Sequence, residues 1–279
     1  MIALLLALGS SLAYGCADFL GGLGSRRAHV LRTVLVAAPA SLAVELAVWP
    51  LLGASFGAGA VGWGAASGLA SAGAFALLYR TLAIGPMNVL SPVTALVSAV
   101  LPVTVGLLQG EHLGAAGLLG LPLALLAVVL VSAGGAGDGR ARVTRTALLL
   151  AFGAGAAIAV QLVCLHQAPT GSGIAPLIVG RTVTSAVTVV AAVLLRRRLG
   201  PERPAYALSV AAGVLDSAAS VLFLLAAHSG DLTVVAVITA LYPAGTVLLA
   251  RAVLAERIHR GQLAGLGAAA VAVSLLALA

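Results

Sequence analysis

Long apolar runs, broken by short clusters of Gly, Pro and Arg, occupy nearly the whole chain. Dividing the runs at those clusters predicts helices near 2–24, 30–52, 58–84, 89–108 and 113–134, then 145–166, 174–196, 205–228, 233–253 and 261–279. Each comes close to the roughly 20 apolar residues that cross a bilayer. Lipid offers backbone polar groups no partner, so only helices or closed barrels can span it. The runs lack the alternating polar pattern of barrel strands. The expected fold is an all-α integral membrane bundle of ten transmembrane helices. Its most polar interruption, Gly134 to Arg145, lies at the midpoint. That places a first unit at 1–136, a linker at 137–144 and a second unit at 145–279.

The two units carry weak internal similarity. Ala3-Leu4-Leu5-Leu6-Ala7 with Gly9 recurs as Ala147-Leu148-Leu149-Leu150-Ala151 with Gly153, and Arg32-Thr33-Val34 recurs as Arg181-Thr182-Val183. Gly85 then aligns with Gly230, Thr94 with Thr239, Glu111 with Glu256 and Gly120 with Gly265. In a chain rich in Ala and Leu, the weight rests on the Arg, Glu, Thr and Gly matches, which fall in order at corresponding helices. Five helices is an odd number, so the second copy enters the membrane in the opposite sense. The expectation is a pair of inverted five-helix repeats, with the substrate site near the midplane between them.

Composition agrees with a lipid environment: 61% of the 279 residues are hydrophobic and 8% are charged. The net charge of +7 would suggest nucleic acid in a soluble protein, but here all fifteen basic residues are Arg placed mainly between apolar runs. Nucleic acid is therefore not expected as a partner. Arg26, Arg27 and Arg32 fall at the first loop, and Arg140, Arg142 and Arg145 at the fifth. Arg196, Arg197, Arg198 and Arg203 fall at the seventh, and Arg257 and Arg260 at the ninth. By the positive-inside rule these odd loops are cytoplasmic and both termini lie outside the cell membrane. The apolar N-terminus lacks a basic n-region and reads as a retained helix. Cys16 and Cys164 lie within apolar runs and read as packing residues.

Leu101-Pro102-Val103 leading to Gly110-Glu111 and Gly120, echoed by Leu241-Tyr242-Pro243 leading to Glu256 and Gly265, resembles the paired EamA repeat of the drug/metabolite transporter superfamily. Tyr14-Gly15-Cys16-Ala17-Asp18-Phe19 is similar to the aromatic, Gly and Phe pattern of that family's first helix. The resemblance implies ten helices, alternating access, and substrates such as amino acids, other metabolites or xenobiotics, often exported. Many members have cytoplasmic termini, whereas the Arg bias here places them outside.

Ionisable groups inside a span cost about 2.5 to 3.5 kcal/mol each on insertion scales and usually face a cavity or a partner. Those predicted within spans are Asp18, Glu45, Arg80, Arg181 and Asp216, with Gln161 as a neutral addition. At about 1.5 Å of rise per residue, Asp18 and Arg80 fall at similar depth, as do Glu45 and Arg181. Two ion pairs are expected, and structural locking is their plainest role. Asp216 falls near the middle of its helix with no cation at its depth. It reads either as a proton-exchanging or cation-binding carboxyl, or as a neutral acid held in the core. Thr94, Thr239 and Tyr242, with Tyr14 and Tyr79, are candidates for substrate contact or for packing. Glu111 and Glu256 precede the fifth and tenth helices and read as caps on the positive ends of their dipoles. Pro92, Pro102 and Pro243 remove backbone donors inside the fourth and ninth helices.

No His-Glu-x-x-His motif or phosphate-binding loop occurs, so neither a metal nor another cofactor is expected. The leading function is secondary transport or export of a small polar or amphipathic metabolite, with protons as a candidate coupling ion. The alternatives are a lipid flippase on the same fold and a membrane-embedded lipid-modifying enzyme.

Overall fold

The computed structural model describes residues 1–85, 87–133, 144–246, 249 and 260–277. The linker over 137–143 and the cap candidate Glu256 lie outside the described residues. The elements are α1 (Ile2–Arg27), α2 (Val30–Leu52), α3 (Ala58–Ile84), α4 (Met87–Leu108), α5 (Ala115–Ala133), α6 (Arg145–His166), α7 (Ala175–Leu194), α8 (Tyr206–Ala227), α9 (Leu232–Thr239) and α10 (Arg260–Ala277). No strand occurs among the described residues; the nearest approach is a single bridge between Ala54 and Gly173.

Six of these helices, α1 to α3 and α6 to α8, are long and apolar enough to cross a membrane, and four shorter apolar helices accompany them. The bundle has an apolar core, but unlike a water-soluble bundle it is apolar on the outside as well and buries many polar groups. Leu5, Leu69, Leu118, Leu119, Leu149 and Val193 are exposed, while Ser10, Thr33, Glu45, Ser71, Thr94, Arg181, Asp216 and Ser217 are buried. An apolar exterior over an interior that also holds buried polar and ionised groups is the pattern of a bundle solvated by lipid. The chain is a multi-pass membrane protein.

Local sequence sets the helix ends. His29 Nδ1 accepts from Leu31 N at 3.3 Å at the start of α2, and Thr144 Oγ1 accepts from Ala147 N at 3.1 Å at the start of α6. Gly53, Gly110, Gly173 and Gly200 hold positive φ between helices, where residues with a Cβ are strained. Among the described residues, the hydrogen bonds that run between loops join loops of like parity. Ser55 N donates to Ser172 O at 3.0 Å and Ile174 N to Gly53 O at 3.0 Å, joining the second and sixth loops. Arg32 Nε donates to Leu199 O at 3.3 Å, joining the first turn of α2 to the seventh loop.

The principal packing pairs are α1 with α8, α3 with α6, α4 with α6, α3 with α7, α2 with α8, α2 with α7, and α5 with α10. Nearly every contact of weight therefore joins a helix before the midpoint to one after it. Glycine permits the closest of them. A Cβ on Gly68 would run into the carbonyl of Gly180, and one on Gly213 into the carbonyl of Ala37.

The ninth helix departs from expectation. A continuous run over 233–253 was expected, but α9 ends at Thr239 and the chain turns at 240–241 before helix resumes at 242. Leu241 N donates to Ile238 O at 3.1 Å, a tightened turn. Pro243 supplies the reason: it has no N–H to give the carbonyl of Thr239, four residues earlier.

Glu111 also departs from expectation. Its carboxylate caps α9 instead of the adjacent α5, with Oε1 accepting from Leu232 N at 2.6 Å and Oε2 from Thr233 N at 2.8 Å. Glu111 N donates to Gly106 O at 3.1 Å, and Gly110 takes φ 92, so the chain folds back across Gly106. A Cβ there would lie 2.8 Å from Glu111 Cδ. The attraction to a helix N-terminus is the expected one, but it reaches across the midpoint of the chain. Glu111→Ala leaves two N–H groups of α9 without their acceptors and is expected to lower unfolding stability by about 1–2 kcal/mol. Thermal unfolding in detergent, with Glu111→Asp falling between the two, checks this; an unchanged midpoint for Glu111→Ala contradicts it.

Candidate functional site

A cavity of about 40 Å³ lies between the two halves. Its polar wall is Tyr14 and Asp18 from α1, Ser71 from α3, Ser98 from α4, Gln161 from α6, Asp216 from α8, Thr239 from α9, and Tyr242 just past the break. Phe75, Leu78, Ile158 and Leu162 supply much of the apolar remainder. An apolar chamber with a few convergent polar groups is the usual form of a small-molecule site.

Arg181 organises one side. Its guanidinium is 3% exposed and lies 3.4 Å from Glu45 Oε1 through Nε. Nη1 donates to Ser71 Oγ at 2.8 Å and Nη2 to Ser220 Oγ at 2.7 Å. Nη2 also forms an ion pair with Asp216 Oδ2. The group stacks over Phe75 with 5.3 Å to the ring centroid. Ser41 Oγ adds a hydrogen bond to Asp216 Oδ2 at 3.3 Å, and Tyr14 Oη lies 3.0 Å from Ser220 Oγ. One cation thus holds two carboxylates from different helices, and the planar fork of Arg can satisfy them together.

Several sequence-derived roles change. Asp216 is not isolated, because Arg181 reaches it. The depth count missed this because it located Cα atoms, whereas an Arg side chain extends several ångströms from its helix. The pair expected between Asp18 and Arg80 does not form: Arg80 is exposed, while Asp18 is buried. The buried face of α3 carries Ser67, Ser71, Phe75, Leu78 and Tyr79, and Arg80, about 100° further round a helix, turns off it. The result exchanges the two acids. Asp18 is the cavity carboxyl with no hydrogen-bond or ion-pair partner among the described residues.

The hydroxyl and amide candidates divide. Thr94 Oγ1 donates to Leu90 O at 3.0 Å, with Ala151 O also at 3.3 Å, and so ties α4 to α6 outside the cavity. Thr239, its counterpart, lines the cavity with Oγ1 buried and unpartnered. Tyr242 donates to Ser91 O at 3.3 Å. Tyr79 is fully buried beside Phe75, at 5.4 Å between ring centroids, and does not reach the cavity wall. Sequence reasoning missed Ser71, Ser220, Ser41 and Phe75. The buried-face periodicity of α3 and α8 held a signal for Ser71, Phe75 and Ser220, since each shares a face with a recognised acid, aromatic or glycine.

Residues 145–278 match the EamA-like transporter family. A crystal structure described only as that of a protein is similar over nearly the full length, with a TM-score of 0.75 and 18% identity, covering 99% of this chain and 96% of that chain. At that identity the likeness speaks to the fold alone. No curated protein matches. With its bundle of apolar helices and the match over residues 145–278, the chain is a multi-pass membrane protein whose second half carries an EamA-like transporter domain, as in the drug/metabolite transporter superfamily.

Proposed function

We propose that the protein is a secondary transporter that exports a small metabolite by alternating access between two inverted repeats, 1–136 and 145–279. The observation that carries this reading is the cavity itself. Its walls come from α1, α3 and α4 on one side and from α6, α8 and α9 on the other, which are corresponding helices if each unit has five. Several of the heaviest packing pairs exchange under the same operation: α1 with α8 becomes α6 with α3, and α2 with α8 becomes α7 with α3. The pairs α2 with α7, α4 with α9 and α5 with α10 map onto themselves. A shared chamber between two inverted units is the arrangement that rocking motions open to each side in turn.

The grouping of loops by parity fits helices that each cross the bilayer, and the Arg-rich odd ends are placed in the cytoplasm. Coupling is assigned to Asp216. Protonating it removes one of the two charges that hold Arg181, and so offers a route from an ion gradient to a change in helix packing.

Proteoliposomes test this. Counterflow of labelled amino acids, amines or nucleosides is expected for at least one class, accelerated by a pH gradient. Asp216→Asn is expected to retain counterflow and lose the acceleration. Chemical turnover of a lipid without solute flux would replace the reading with an enzyme, and movement of labelled lipid alone would replace it with a flippase.

A further inference from the structure

Three polar groups on the cavity wall lack a partner among the described residues: the Asp18 carboxylate, the Gln161 amide and the Thr239 hydroxyl. Asp18 is 8% exposed, Gln161 7% and Thr239 3%. Burying such groups unsatisfied is costly, so a wall that collects them is completed by what it holds. Thr239 also ends α9, and its carbonyl can receive no i+4 helical donor because Pro243 has no N–H. It sits at the C-terminal end of α9, where the helix dipole is negative.

The cation that would neutralise this side is committed elsewhere. Arg181 directs its donors to Glu45, Ser71, Ser220 and Asp216, and Arg80 is exposed on α3. An anionic solute therefore meets no free positive group among the described residues lining the cavity. A positive solute meets a carboxylate, a hydroxyl and the negative end of a helix.

We propose that Asp18 and the broken end of α9 form a binding site for one monovalent cation, either an inorganic ion or the ammonium group of an organic amine. A helix broken so that its C-terminal end lines a chamber between the halves of a membrane bundle is a general solution to holding a cation inside a membrane. One carboxylate among neutral oxygens matches a single charge. A divalent ion calls for more acidic ligands, and no cluster of three His, Cys, Asp or Glu occurs among the described residues. The site deepens the transporter reading and, as a transport element, rests on it; its binding is measured independently.

The test is equilibrium thermal unfolding of the purified full chain in detergent at constant ionic strength. N-methylglucamine chloride is replaced stepwise by NaCl, KCl or ethylammonium chloride. A saturable rise in midpoint is expected with at least one replacement. A response to NaCl or KCl assigns the site to an inorganic ion, and a response to ethylammonium alone assigns it to the substrate's amine. Asp18→Asn is expected to abolish the saturable rise, and Thr239→Val to weaken apparent affinity roughly tenfold, the loss of one hydrogen-bonding oxygen to a charge. Should Asp18→Asn not fold, Asp18→Ser and Thr239→Val read the same site. No saturable response to any of the three salts, or an unchanged response in the Asp18 variants, overturns the proposal. Binding without solute flux would refute the transporter reading and leave the site standing; flux without cation binding would do the opposite.

Discussion

Arg181→Met is expected to be the most damaging single substitution in the protein, lowering unfolding stability by about 3–5 kcal/mol, the usual cost of removing one partner from a buried ion pair. The methionine fills much of the same volume, so the loss is electrostatic. Glu45 is fully buried and Asp216 nearly so, and each would face the interior without its cation. Ser71 and Ser220 would lose the donors now at 2.8 Å and 2.7 Å. Arg181→Lys keeps the charge but not the fork: an ammonium has three donors on a flexible stem and cannot hold Glu45, Asp216 and both serines in one geometry. It should fall between wild type and Arg181→Met. The triple variant Arg181→Met, Glu45→Gln, Asp216→Asn removes the orphaned charges with their partner and should recover most of the loss. The fraction of monodisperse protein after extraction, together with the thermal unfolding midpoint, reads all three. Wild-type stability in Arg181→Met, or a triple variant no better than the single, would show that the network does not carry this energy.

The same network marks where sequence reasoning works and where it stops. The spans were legible because lipid demands long apolar helices, and their order followed from where Gly, Pro and Arg interrupt them. The polar residues worth attention were also legible, since Asp18, Glu45, Arg181 and Asp216 are conspicuous in apolar surroundings. Their partners were not. Depth along a helix is one coordinate of three, and it paired Asp18 with Arg80 although Arg80 lies off the buried face of α3. Rotation was available from periodicity. Leu177, Ile178, Arg181, Thr184 and Thr188 share the buried face of α7, which directs Arg181 inward, and Ser209, Gly213, Asp216 and Ser220 share that of α8. What periodicity cannot supply is which helix faces which. The reach of Glu111 across to α9 is of that kind, because nothing in its own segment names the helix it caps. Pro243 was visible as a kink, but its consequence depended on Asp18 and Thr239 standing at the same cavity.

Gly68→Val and Gly213→Val are expected to cost stability comparably, each at the upper end of the about 1–3 kcal/mol typical of overpacking. In both cases the obstruction is backbone: the carbonyl of Gly180 faces Gly68, and that of Ala37 faces Gly213. Backbone cannot rotate aside as a side chain can, so α3 must part from α7, or α2 from α8. In α3 the separation also breaks the hydrogen bond from Thr184 Oγ1 to Gly68 O at 2.9 Å. Small residues at helix crossings matter in a membrane because close van der Waals contact replaces the hydrophobic drive that lipid cannot provide. Gly62→Ala is the control, since a Cβ there meets nothing within 4 Å, and alanine favours the helix by about 1 kcal/mol. It should leave stability equal or slightly raised. Thermal unfolding checks the set, and a wild-type midpoint for either valine variant would contradict the close approach. The comparison of the two valines bears on the repeats as well. Gly68 and Gly213 correspond under the same offset that aligns Thr94 with Thr239, so matched losses support two copies of one packing solution. A large loss at one and none at the other would mean that the α3–α7 and α2–α8 contacts are not equivalent, and the symmetric rocking proposed for transport would lose its structural basis.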